Sequence, residues 1–258
     1  MKPKKHLGQN FLKNNDTLNL IVETANIISN DLIIEVGPGK GVLTKELVKR
    51  ARQVIAIEKD HELLPWLRET FQYDSNIQLM QADVLQTEVP NEPYKVVANI
   101  PYYITSPILN HYLQSENPPQ SLTLLVQYEV AQKICAPKGD HSVLSLQVHL
   151  FGQPTLIAKI PPTHFSPKPK VDSAILHINT FAQAPYKNTQ EILKIAKLAF
   201  SQKRKMLRNT LKSIGIDLSL LEKNSGINFN RRPEMLSLAE WSTLCDEITK
   251  LRKSHGSS

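Results

Sequence analysis

Three short stretches hold residue types that could handle a nucleoside-like ligand. In IIEVGPGKGVLT, Ile33 to Thr44, a glycine-rich turn separates an apolar strand from a helix. Gly37 and Gly39 there would let backbone approach a ligand closely at the carboxyl end of the strand. The dinucleotide fingerprint needs a third glycine where Val42 stands, and GPGKG runs into Val-Leu instead of completing a phosphate-binding loop, so a nicotinamide enzyme is disfavoured and a P-loop is absent. Glu58 closes the next apolar run, VIAIEKD, about 20 residues beyond the glycines, where a carboxylate can accept hydrogen bonds from ribose hydroxyls. Asp83, in QADVL after the third run, falls at the edge of the same cleft and could accept from an adenine amino group. Each acid alone reads as a solvated loop residue. At the ends of consecutive strands, beside the glycines, they point together to an adenosine-containing ligand.

A further stretch, VVANIPYYITSP from Val96 to Pro107, ends an apolar run with an amide, a proline and two adjacent tyrosines. Pro101 forces Ile100 out of helical geometry and supplies no backbone donor, so by itself this is a strand end followed by a turn.

The elements that must carry these residues are legible as near-continuous apolar runs separated by amphipathic stretches: LIIEV, QVIAIE, IQLMQ, KVVAN, LTLLVQ, TLIAKI and DSAILHI. Such runs predict a parallel sheet covered on both faces. The last two follow each other without a long helix between them, so at least one strand pairs antiparallel. After AQAPYKN, Ala182 to Asn188, the pattern turns helical. Asn188 and Glu191 resemble a capping box, and Ile192, Ile195, Ala196, Ala199, Phe200, Leu207 and Leu211 extend one apolar stripe to Gly215. This places a boundary in the linker, giving an α/β domain over 1–181 and a smaller all-α domain over 182–258.

Charge supports the same division. Lys and Arg total 31 against 24 Asp and Glu, net +7; Met1 to Phe181 holds 17 of each sign, leaving 14 basic and 7 acidic residues beyond it. A neutral front and a basic back suggest different partners. With 258 residues and 41% hydrophobic content the chain can bury a substantial core. No run reaches the roughly 18 apolar residues of a membrane span, and MKPKKHLGQN starts charged with no apolar segment behind it. The expectation is a soluble, cytoplasmic protein with no membrane partner. Cys135 and Cys245 match no metal or redox spacing and are expected as free thiols. The eight histidines show no metal-like pairing. They are expected to be structural or surface residues, with His6, His111 and His164 the ones to reconsider.

EVGPGKG, Glu58, Asp83 and NIPY stand in the order and spacing of S-adenosylmethionine-dependent adenine amino-methyltransferases, and the likeness extends along almost the whole chain. HLGQNFL, His6 to Leu12, resembles the family's N-terminal segment that folds over the cofactor, and PPTHFSPKPKVDSAIL, Pro161 to Leu176, its loop and strand after the catalytic motif. FSQKRKMLRNTL, Phe200 to Leu211, and RRPEMLSLAEW, Arg231 to Trp241, resemble the helical domain of the branch that dimethylates small-subunit ribosomal RNA. The resemblance implies a Rossmann-like methyltransferase sheet, S-adenosyl-L-methionine as methyl donor and no metal. The implied substrate is two adjacent adenosines in the 3′-terminal hairpin of 16S rRNA within the small ribosomal subunit, each receiving two methyl groups from a monomeric enzyme. It assigns Asn10, Leu12, Gly37, Gly39, Glu58, Asp83 and Asn99 to the cofactor, and Asn99 and Tyr102 to the reacting base. Glu35 would orient the glycine turn or meet the methionine end of the cofactor.

For that chemistry the Asn99 oxygen and the Ile100 carbonyl can accept the two amine hydrogens and draw the nitrogen lone pair out of the ring plane. Tyr102 offers a face for stacking. Tyr103 reads as core, with a second aromatic wall as the alternative; Phe165, in THFSPKP, either closes on the base from the other side or packs as a loop aromatic. DHSVLSLQ replaces the Gly-Arg usual before LS, which bears on local RNA contacts around His141. Arg204, Arg208 and Lys212 share a helix face in this reading, joined by Lys203 and Lys205, and would contact RNA phosphates. The rival readings are dimethylation of 23S rRNA by the antibiotic-resistance branch, a non-catalytic nucleic-acid-binding factor with the same fold and, third, the nicotinamide oxidoreductase.

Overall fold

The computed structural model describes Lys4 and residues 8–136, 141–202 and 204–255, with 254 and 255 described by backbone alone. His6 and Lys203 lie outside these residues. A short β1 (Phe11–Leu12) and α1 (Asn15–Ala25) lead into β2 (Leu32–Val36), α2 (Val42–Val48), β3 (Gln53–Glu58), α3 (Leu64–Thr70) and β4 (Ile77–Gln81). Next come β5 (Tyr94–Asn99), α4 (Thr105–Leu113), β6 (Ser121–Gln127), α5 (Tyr128–Ile134), α6 (Val143–Phe151) and β7 (Gly152–Ile160). The chain continues through β8 (Phe165–Ser166), β9 (Ser173–Thr180), α7 (Thr189–Phe200), α8 (Leu207–Thr210), α9 (Leu218–Ser225) and α10 (Leu238–His255).

The seven apolar runs all become strands of one sheet, in the order β4-β3-β2-β5-β6-β9-β7. β2 pairs parallel with both β3 and β5, β3 with β4, and β5 with β6. The expected reversal is β9, antiparallel to β6 with Leu176 opposite Leu124. All five residues of β2 are buried, as a continuous apolar run in a two-sided sheet requires. Alternate strand residues, Ile33, Val54, Ala56, Val97, Leu125 and Ile175, form a core with Leu18, Ile21 and Val22 of α1 and Leu43 and Leu47 of α2. The Asn14 side chain caps α1 by accepting from Thr17 N at 2.8 Å. The strand order reverses between β2 and β5, and ligands bind at such a reversal, outside the carboxyl ends of the strands.

The chain falls into two compact units: Met1–Gln132 with Gln153–Ala182, and Lys133–Gly152 with Gln183–Ser258. The second thus includes a segment that a single cut after 181 left in the first. The reason is packing: Leu146 and Leu150 of α6 are fully buried in one cluster with Ile192, Ala196, Phe229 and Trp241.

The helical stripe expected to reach Gly215 is interrupted. α7 stops at Ser201, Arg204 adopts a left-handed φ of 66°, and Met206 is extended. The amides of Leu207 and Arg208 then donate to Arg231 O at 2.8 Å and Phe229 O at 2.9 Å. These partners let the chain leave the helix while still burying Leu207 and Leu211. Arg204, Arg208 and Lys212 therefore do not form one helix face. Asn188 makes no side-chain cap either; its amide donates to Asp246 Oδ1 at 3.1 Å.

Candidate active site

The carboxyl ends of β2, β3 and β5 open onto a cleft of about 1060 Å³, mouth included, lined by Asn10, Leu12, Gly37, Gly39, Glu58, Asp83, Asn99 and Tyr102. The eight residues that the resemblance assigned to the donor or the base thus line one cleft. The glycine turn follows β2, Glu58 is the last residue of β3, Asp83 stands two beyond β4, and Asn99 ends β5.

Gly37 and Gly39 both have positive φ, 67° and 59°. A Cβ at Gly37 would meet nothing within 4 Å, because the space beside it is the cleft; one at Gly39 would sit 3.0 Å from the Phe11 ring. The turn is tied to β3 by Gly37 N donating to Ile57 O at 2.9 Å and Gly39 N donating to Glu58 Oε2 at 3.1 Å. The other Glu58 oxygen accepts from Asp60 N at 2.8 Å. Burial raises the Glu58 carboxyl above its ordinary pKa, against the lowering effect of those backbone donors.

Asp83 is held differently. Its Oδ1 accepts from Leu85 N at 3.1 Å and its Oδ2 from Lys59 Nζ at 2.8 Å, and the lysine above all keeps the carboxyl below its usual range. Glu35 also lines the cleft, is 1% exposed, and has an Oε2 without a partner among the described residues. Burial pushes this carboxyl up to about 8.

The N-terminal strap closes one side. Asn99 Nδ2 donates to Asn10 O at 2.9 Å, and Leu12 pairs with Phe165 in the β1–β8 ribbon. Lys4 Nζ and Gln9 Nε2 reach the two oxygens of Asp60, at 2.8 and 3.0 Å. Sequence reasoning passed over Asp60. Its only signal is an acid two residues beyond Glu58, facing a basic, amide-rich N-terminus.

NIPY forms a tight turn. Pro101 leads a single 3-10 turn over Tyr102–Ile104, Thr105 Oγ1 donates to Tyr102 O at 3.0 Å, and the half-buried Tyr102 places its Oη 2.6 Å from Ser173 Oγ. Of the two open aromatics, one expectation is corrected and one alternative is decided. Tyr103 is 60% exposed and lines the cleft instead of packing in the core. Phe165 is 1% exposed within the core beside Leu12, so it is the packed loop aromatic and not a second wall. Among the reconsidered histidines, His164 Nδ1 lies 2.7 Å from Thr17 Oγ1 and His111 packs edge-on against Tyr112 at 4.9 Å, both structural roles. No group of three metal-ligating side chains occurs among the described residues.

A seven-stranded sheet in which β9 runs antiparallel to β6, with a cleft at its order reversal, defines a Rossmann-like fold of S-adenosylmethionine-dependent methyltransferases. Two solved structures share it over nearly their whole length. One is a dimethyladenosine transferase from Plasmodium falciparum, 27% identical with a TM-score of 0.81 over 94% of this chain and 98% of that one. The other is the 23S rRNA methyltransferase ErmE, 30% identical with a TM-score of 0.75 over 93% and 100%. A sequence profile of ribosomal RNA adenine dimethylases matches residues 1–250, and the chain belongs to that family. Among its relatives are the ribosomal RNA small subunit methyltransferases A of Dehalococcoides mccartyi strain BAV1, 42% identical over 96% of this chain and 89% of that protein, and of Alkaliphilus oremlandii, 37% identical over 96% and 93%. The large-subunit alternative is not favoured: its structural representative is 30% identical, below these relatives. No described helix is long and apolar enough to cross a membrane.

Proposed function

We propose that this protein transfers methyl groups from S-adenosylmethionine to the exocyclic amines of two adjacent adenosines in the 3′-terminal hairpin of 16S rRNA. It acts as a monomer, in the cytoplasm, on assembling small subunits. The observation that carries the reading is the orientation of Asn99: its Nδ2 is held by the Asn10 carbonyl at 2.9 Å, which leaves Oδ1 as the group free to accept from an amine in the cleft.

S-adenosylmethionine, when bound, supplies a methyl group on a sulfonium, already activated for transfer. The residues present fit that molecule. Glu58 offers its carboxylate to ribose hydroxyls, Asp83 accepts from the adenine amine, and the open space beside Gly37 lets backbone approach closely. Glu35, whose Oε2 has no partner among the described residues, suits the amino group at the methionine end. Asn10 and Leu12 cover the molecule from the strap.

At the substrate, Asn99 Oδ1 and the Ile100 carbonyl take the two amine hydrogens, and Tyr102 stacks on the ring. The nitrogen lone pair forms the new C–N bond as the C–S bond breaks, and the surplus proton leaves to water. Orientation of this kind can lower a barrier by up to about 7–11 kcal/mol. Stacking contributes roughly 1–3 kcal/mol, comparable with the few kcal/mol that extracting a base costs, so the grip on RNA must come from elsewhere. The basic helical unit supports that role through phosphate contacts.

The test is to incubate the full chain and the donor with unmodified small subunits, and separately with naked 23S rRNA, and to quantify nucleosides by mass spectrometry. Two dimethyladenosines per small subunit and none in 23S rRNA are expected. Product confined to the 23S RNA would overturn the reading.

A further inference from the structure

Tyr102 carries a hydroxyl that stacking does not need, since a base stacks on the ring face. The structure shows what the hydroxyl does. Its Oη lies 2.6 Å from Oγ of Ser173, the first residue of β9, which is fully buried. Tyr102 follows β5, and β9 lies beyond β6 in the sheet, so this bond ties the turn to a strand two places away.

Ser173 is itself fixed. It pairs with Gln127 at the end of the β6–β9 ladder. The residue before it, Asp172, accepts from Tyr128 N at 3.0 Å through its carbonyl and pairs with Lys159 at 2.8 Å through its carboxylate. At the other end of Tyr102, Thr105 Oγ1 holds the backbone carbonyl. With backbone and hydroxyl both anchored, the ring is left little freedom to tilt.

We propose that Ser173 is a positioning residue that sets the plane of the Tyr102 ring against the target base. The inference rests on Tyr102 being the stacking platform. Removing the bond from either side should let the ring swing without emptying the site. Because Ser173 and Tyr102 act through one bond, losing both should cost no more than losing either.

The experiment compares single-turnover methylation, donor affinity and melting temperature for Ser173→Ala, Tyr102→Phe, their combination, Ser173→Thr and Tyr102→Ala in the full chain. Ser173→Ala and Tyr102→Phe should each slow methyl transfer about tenfold with donor affinity unchanged, corresponding to one hydrogen bond of typical strength. The double variant should match the singles, and Ser173→Thr, which keeps a hydroxyl, should recover most of the rate. Wild-type rates in both single variants, or losses that multiply in the double, would overturn the proposal. Should Ser173→Ala fold poorly, Tyr102→Phe breaks the same bond with Ser173 intact and decides alone. A wild-type rate for Tyr102→Ala would sink the underlying stacking role. A slow Tyr102→Ala beside a normal Tyr102→Phe would sink only the anchor.

Discussion

At the scale of single residues, the site works by committing one end of a side chain so that the other is available. Asn99 gives its nitrogen to Asn10 and keeps its oxygen; Asp83 gives part of each oxygen to Leu85 and Lys59. Glu35 is the exception, buried with an oxygen that no described residue satisfies, and it makes a pH prediction. Its carboxyl is raised to about 8 from an ordinary value of 4.5. Between those values the folded state holds a proton that the unfolded chain has released, so the ligand-free protein loses stability as pH rises through that window. Glu35→Gln removes the titration. Its melting temperature should match the wild type near pH 5 and exceed it by on the order of 10 °C at pH 9, with a chain of this size shifting roughly 2–4 °C per kcal/mol; parallel curves would contradict the assignment. The residues readable from sequence were those that local rules place, since Glu58 and Asp83 follow apolar runs whose ends face one cleft. Ser173 was not readable, because its partner is 71 positions away and neither residue signals the other.

At the scale of elements, the strands were legible because a two-sided parallel sheet demands unbroken apolar runs, and each of the seven runs formed its strand. The helix from Thr189 was legible only as far as its own stripe. Leu207 and Leu211 stay in phase with it and are buried, yet the backbone between them and α7 is broken by bonds to Phe229 and Arg231. Periodicity reports which side chains are buried, not whether the chain stays helical to bury them. The break separates the basic residues into two kinds. Arg208 is paired with Glu222, which also accepts from Phe229 N at 2.8 Å, whereas Arg204 and Lys212 are exposed and make no ion pair with a described residue. Arg208→Ala should therefore lower stability, by up to about 1 kcal/mol given its partial exposure, as chemical denaturation would show. Arg204→Ala combined with Lys212→Ala should leave stability unchanged and flatten the salt dependence of RNA binding by about 0.7 for each phosphate no longer neutralised. An unaltered slope would show that neither residue meets an RNA phosphate.

At the scale of the whole molecule, chemistry and grip are assigned to different units. The first unit holds the cleft, and the excess positive charge lies beyond residue 181. Sequence placed that boundary because composition and periodicity change together there. It missed that Lys133–Gly152 joins the second unit, since a short apolar helix between strands carries no mark of which core it will enter. A division of labour of this kind makes conversion and binding separable. The most direct test measures single-turnover dimethylation of small-subunit adenosines by the full chain carrying both Asn99→Ala and Tyr102→Ala, alongside its affinity for the same RNA. Methyl transfer should fall by at least about a thousandfold, equivalent to roughly 4 kcal/mol of positioning, while RNA affinity stays within a few fold of wild type. Conversion at the wild-type rate would contradict the account.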